Sequence, residues 1–425
     1  MTDDTRREFL RRMAAVTAIG SLASPRRGLA LGRPTSAPWV PVPSRGPVRR
    51  VADPHVGIQI SPHTMLAEGI ERCLDLLQET AAVTAVYPYS HAFHTSSLGK
   101  RPEDLASHFG EPKRDFRGRV PAVWVRHHDD QFRNTRLQVR PADPELEFAD
   151  RDLFAELVGP ARERGMQVYA RVLEARGHAI EYFDEVRTVD VYGDPGEYAC
   201  WNHPDYVNFW KSVVGDMFVH YDLDGFQWGA ERMGPLMDVI LPWDDDPPAC
   251  FCEYCLDRGD RAGIDVDRAR DGYTRLFEYV RGLVAGEPSP PEGVFTIFLR
   301  HLIRYPEILS WEYQYRLSRE NVQREMYETI KSVDPEAQVG WHVDHQPSSW
   351  DLVYRAEMSY AEMAPYSDFI KLILYHEALG PRIRSWYLDR FQGTILRELS
   401  LEESLGLYYD LFGYDAGVEP GVEEL

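Results

Sequence analysis

The sequence predicts an α/β chain of the (β/α)8 TIM barrel class, incomplete at its C-terminus. Three observations lead there. Short apolar runs alternate with longer amphipathic stretches, the runs end in polar or aromatic residues, and six such runs are visible where a closed barrel has eight strands.

The six runs are 56–60 (VGIQI), 82–87 (AVTAVY), 167–173 (QVYARVL), 223–228 (LDGFQW), 338–343 (QVGWHV) and 369–375 (FIKLILY). Near-continuous apolar runs of this length read as parallel strands buried on both faces. Helical periodicity covers 65–80, 152–164, 204–221, 266–284 and 316–332, the last stopped by Asp334-Pro335. The stretch 294–298 is apolar but too short, and too close to the helix around Leu302, to count as a seventh strand. Beyond the sixth run the chain passes into the acidic, turn-rich segment 414–425. The expectation is therefore a barrel without its last βα units, which would leave a sheet edge and apolar surface uncovered.

Upstream of the barrel, Thr5-Arg6-Arg7-Glu8-Phe9-Leu10-Arg11 precedes a small-residue apolar run from Met13 to about Ala23. This is the pattern of a twin-arginine signal, expected over residues 1–30, with a proline-rich flexible leader over 31–50 and the barrel over 51–425. Such a signal implies a protein folded in the cytoplasm, handed to the twin-arginine translocation machinery, and active in the periplasm or outside the cell. The apolar run is shorter than the roughly 20 residues a membrane span needs, so no stable membrane insertion is expected after processing. The net charge of −21, with only 5 Lys among 47 basic residues, excludes a nucleic acid partner, which requires a basic face.

Catalytic groups of barrel enzymes sit where strands meet their C-terminal loops. The densest such junction is Asp224-Gly-Phe-Gln-Trp-Gly-Ala-Glu231-Arg232. A carboxylate at Glu231, between Trp228 and Arg232, is placed to have its proton affinity tuned as a general acid requires. The bland alternative is that Glu231 pairs with Arg232 or Arg268 to fix the loop. Other strand ends carry His63, then Tyr87, Tyr89 and His91, then Glu174, then His342, Asp344 and His345, and finally His376 with Glu377. Singly, each is more often structural. Together they are what a sugar-binding cleft needs, with rings to stack on pyranose faces and polar groups for hydroxyls. The segment Val123-Trp-Val-Arg-His-His128 is a candidate extra wall.

Cys250, Cys252 and Cys255 form C-x-C-x-x-C, with Cys200 upstream. Four thiolates in this spacing suit one tetrahedral structural zinc. Disulfides or free thiols are the competing readings for an exported chain. Cys73, on an apolar helix face, reads as core.

The runs Cys200-Trp-Asn-His-Pro-Asp-Tyr206, Tyr221-Asp-Leu-Asp-Gly225, Glu231-Arg232 and Cys250-Phe-Cys-Glu-Tyr-Cys255 resemble uncharacterised, often exported, glycosyl-hydrolase-like (β/α)8 barrel proteins, from about Val56 onward. More distantly they resemble the zinc-containing β-galactosidases of glycoside hydrolase family 42. That likeness implies zinc on the four cysteines and an acid/base role for Glu231. It places the nucleophile after the seventh strand, whereas Glu377 follows the sixth counted here. The resemblance thus implies a glycoside hydrolase acting on an oligo- or polysaccharide, with Glu231 as acid and Glu377, or Glu174, as its carboxylate partner. A non-catalytic carbohydrate-binding barrel, or a hydrolase or lyase working through strand-end histidines, are the alternatives.

Overall fold

A computed structural model describes residues 54–92, 121–174, 177, 180–242, 245–343, 351–373 and 376–425, with the side chains of 376–378 excluded. The signal and leader segments, Asp344, His345, and the side chains of His376 and Glu377 lie outside the described residues.

One six-stranded sheet organises the chain: β1 (Gly57–Ile60), β2 (Ala85–His91), β3 (Gln167–Leu173), β4 (Gly225–Gly229), β5 (Gln338–Val343) and β6 (Phe369–Leu372). The strands lie side by side in chain order, and every pairing is parallel. The sheet curls until the amide of Gln59 on β1 comes within 2.7 Å of Lys371 Nζ on β6. Among the described residues no seventh or eighth strand joins it. The result is an α/β fold built on a curled parallel sheet, with Leu372 of the last strand 45% exposed.

The connecting helices follow the periodicity closely. They include α1 (Pro62–Glu68), α2 (Ile70–Ala81), α3 (Leu153–Glu163), α4 (Pro204–His220), α5 (Glu253–Arg261), α6 (Val266–Val284) and α7 (Glu307–Val333). The single helix expected over 65–80 is two, because Gly69 between them takes φ +91°, a conformation that interrupts a helix. The stretch 294–298 begins a helix, Val294–Arg304. Cys73 is fully buried on α2.

Strand alternation divides the side chains between two faces. Val168, Ala170, Val172, Phe226, Trp228, Val339, Trp341 and Val343 join the core beneath the helices. Their neighbours face the concave side. There Tyr87 stacks on Tyr169 at 4.5 Å between ring centres, and Tyr169 donates to Gln338 Oε1 at 2.9 Å.

This alternation corrects two expectations. Trp228 is fully buried, packed edge to face against Trp210 and Trp341 at 5.9 and 6.5 Å. It lies one residue out of phase with the concave positions Gln227 and Gly229, so it cannot touch a ligand in the cleft. Tyr87 is concave but near the wrong end, since its hydroxyl meets His55 Nε2 at 2.9 Å, upstream of β1. The strand-end cleft is at the opposite end of the sheet.

Candidate functional site

Glu231 follows β4 at the C-terminal edge of the sheet, with its side chain 40% exposed. His342, the third residue of the concave row on β5 after Gln338 and Gly340, brings Nε2 to 2.9 Å from Glu231 Oε1. Gly229 makes this approach possible, because a Cβ there would lie 2.8 Å from the Cβ of His342.

Burial, with Lys371 and Arg171 nearby, holds the His342 pKa below that of an ordinary imidazole, against the pull of Glu231. The neutral ring then donates from Nε2 to Glu231 and leaves Nδ1 as an acceptor for Lys371 Nζ, 3.4 Å away. Lys371 is itself pushed down to about 8, by burial first and then by Arg171. The amide of Gln59 sits 2.7 Å from Lys371 Nζ and 3.2 Å from Arg171 Nε, so its oxygen accepts from both. Arg171 also lies over the ring of Tyr89 at 4.2 Å.

The concave face therefore joins a solvent-reached carboxylate, a neutral histidine, two cations, an amide and an aromatic ring. Chemically this set can hold a polyhydroxylated ligand and transfer a proton at the Glu231 oxygen. Of its members, the sequence reading singled out Glu231, His342 and Tyr89. Gln59, Arg171 and Lys371 were missed, although Arg171 and Lys371 carried a signal as lone cations inside apolar strands.

The remaining expected residues go elsewhere. Glu174 is 4% exposed and accepts from Trp201 Nε1 at 2.5 Å and Tyr206 at 3.1 Å, while Arg232 Nη2 stands 3.0 Å away. Arg232 is equally buried, lies 3.7 Å over Trp201, and donates to the carbonyl of Ala199. It thus turns from Glu231 toward Glu174, and the pair closes a structural knot beneath the cleft. Arg268 is at the surface, paired with Glu307. His63 opens the first turn of α1 with Nδ1 2.7 Å from Ser61 Oγ.

His91 and His128 also leave the cleft. His91 Nε2 is 2.7 Å from His127 Nε2, and His127 and His128 both reach Asp216 on α4. The bulge between Tyr89 and His91 turns β2 in that direction. Trp124, 2% exposed, anchors segment 123–128 in the core, so this segment is not a cleft wall.

The four cysteines converge. Their sulfurs all lie within 4.8 Å of one another, with Cys200–Cys255 at 3.5 Å and Cys200–Cys252 at 3.3 Å. None is disulfide-bonded. Cys252 occupies the N-cap position of α5, where the helix N-terminus favours thiolate charge. The backbone N–H groups of Asn202 and Val189 donate to Cys200 and Cys250 at 3.3 and 3.4 Å, and the Asn202 amide donates to Cys255 at 3.3 Å. Tetrahedral zinc with bonds of about 2.3 Å sets sulfurs about 3.8 Å apart, a spacing inside the 4.8 Å that bounds all four sulfurs and about half an ångström or less from the two contacts above, so the donor set is of the kind and closeness that such an ion takes.

No family model and no curated protein matches the chain. Among solved structures, it is similar to the β-galactosidase of the Antarctic haloarchaeon Halorubrum lacusprofundi, at 13% identity and TM-score 0.42, over 84% of this chain and 46% of that one. The cold-adapted β-galactosidase of Rahnella sp. R3 is similar at 14% identity and TM-score 0.41, over 75% and 39%. The PgaB (BpsB) glycoside hydrolase domain of Bordetella bronchiseptica is similar at 13% identity and TM-score 0.42, over 81% of each chain. The matched region is thus less than half the length of either β-galactosidase.

Proposed function

We propose that the chain is a glycoside hydrolase acting on an oligo- or polysaccharide, with Glu231 as its general acid. The observation that carries this reading is the placement of Glu231, open to solvent at the strand ends yet held by His342 at 2.9 Å. Protonated Glu231 would deliver its proton to the glycosidic oxygen as the bond breaks, and the neutral His342 would then steady the carboxylate formed. Gln59, Tyr89, Arg171 and Lys371 would grip the sugar. Glu174, locked on Arg232, leaves Glu377 as the partner carboxylate in this proposal.

The four cysteines would hold one structural zinc, contributing folding energy rather than chemistry. Its thiolates fit a protein that folds in the cytoplasm and is then exported by the twin-arginine machinery to the periplasm or beyond.

Incubation with a panel of neutral and charged oligosaccharides, followed by product chromatography, tests the activity. Cleavage of at least one supports the proposal. Saturable binding without any cleavage would instead identify a carbohydrate-binding barrel.

A further inference from the structure

Away from the cleft, Asp216 on α4 gathers an unusual set of neighbours. His128 Nδ1 and His220 Nδ1 each stand 2.9 Å from the same oxygen, Asp216 Oδ1. Their rings are stacked, 3.6 Å between centres and 17° from parallel. The other carboxylate oxygen, Oδ2, takes His127 Nδ1 at 2.6 Å and the backbone N–H of His128 at 3.1 Å. His220 Nδ1 is also 3.0 Å from the carbonyl of Asp216.

Asp216 is completely buried, and its ionic partners are all histidines. Each oxygen of this carboxylate meets two nitrogen atoms, so the group is fixed in position with Oδ1 directed between the two partly exposed rings. The side chains of His128 and His220 remain 43% and 34% exposed, so the open side of the cluster faces solvent.

We propose that His128, Asp216 and His220 form a metal site for a first-row transition ion of the zinc, nickel or copper(II) class. Two imidazoles and one carboxylate select such ions over calcium or magnesium, which prefer all-oxygen shells. Bonds of about 2.0–2.1 Å in a tetrahedron separate the ligand atoms by about 3.3 Å. The two observed 2.9 Å edges are shorter than that, and the stacked rings must open so that both Nδ1 lone pairs, which lie in the ring planes, meet at one point, a rotation that their partial exposure allows.

Asp216 and His220 are one turn apart on α4, so a single helical face presents both. His128 comes from a different segment, and the ion would therefore pin residues 123–128 to α4. His127 keeps Oδ2 fixed and so aims Oδ1, the part played by outer-shell partners in metal sites. With three protein ligands, at least one coordination position is left for water.

The site is separate from the cysteine nest and requires no part of the glycosidase proposal. Its test is a calorimetric titration with Zn²⁺ at neutral pH, using full-length protein already saturated at its cysteines and freed of loosely bound metal. One further equivalent should bind, with little competing heat from Mg²⁺. The double variant His128→Gln/His220→Gln should lose that equivalent while retaining the cysteine-bound ion and its circular dichroism. Should the double variant fail to fold, His128→Gln alone removes a partly exposed ligand and should weaken binding at least tenfold. Absence of a further equivalent in the unmutated protein, equal binding of Mg²⁺, or unchanged Zn²⁺ binding in a folded variant would each overturn the proposal.

Discussion

His342 places Nε2 2.9 Å from Oε1 of Glu231, tying the end of β5 to the loop after β4 through one hydrogen bond. A hydrogen bond to a charged group is worth about 1.5–3 kcal/mol. If it stabilises Glu231 as the proton leaves, His342→Ala should lower kcat roughly 10- to 100-fold with KM little changed. Steady-state kinetics separates the two constants. A raised KM at constant kcat would mean that His342 serves binding instead.

The buried pair of Glu174 and Arg232, each side chain 4% exposed, makes a prediction about stability. Arg232→Met leaves a buried carboxylate without its cation and should cost about 3–5 kcal/mol in urea unfolding. Adding Glu174→Gln removes the stranded charge, so the double variant should recover much of that loss. Additive losses would show that the two residues are energetically independent.

The cysteine nest predicts one tightly held zinc per chain that survives mild chelation. Cys252→Ser should lose this ion and lower the melting temperature, because structural zinc contributes folding energy. Metal analysis of both proteins checks this. A full complement of retained zinc in the variant would contradict the assignment.

Much of the architecture was legible because buried parallel strands announce themselves as apolar runs. β3 and β5 occupy the predicted residues, as does α6. Function was harder to read, because a strand end names a neighbourhood while a one-residue phase difference selects the face. Gln227 and Trp228 are adjacent, yet Gln227 is concave and Trp228 is sealed under the helices. Arg232 was expected beside Glu231 by sequence proximity, but Glu174, 58 positions away from it, is its partner in space. Asp216 looked like an ordinary helix residue, since of the three histidines at its carboxylate only His220 lies on α4, and His127 and His128 arrive from a distant segment.

Glu312, in the first turns of α7, is another group without a sequence signal. It is 3% exposed and accepts from the Leu236 N–H at 2.8 Å and the Tyr273 hydroxyl at 2.9 Å. Burial raises its pKa to about 8 despite those hydrogen bonds, and nearby Asp351 adds to the rise. The folded state therefore holds an extra proton between the ordinary value of about 4.5 and about 8. The stability this contributes is full below that window and lost as pH rises through it, at up to about 1.4 kcal/mol per pH unit. Unfolding free energies from pH 5 to 9 should fall less steeply in Glu312→Gln than in the parent. Identical slopes would place the titration elsewhere.

In the proposed reaction Glu231 donates the proton to the departing sugar. Glu231→Gln keeps the shape of the side chain and removes that proton. Measured in the glycosidic cleavage step, turnover of a natural sugar leaving group should fall by a factor on the order of 10² to 10⁴, the usual worth of acid–base assistance. An activated aryl glycoside, whose leaving group departs without protonation, should lose much less. Equal losses on the two substrates would contradict the claim and remove Glu231 from the role of acid.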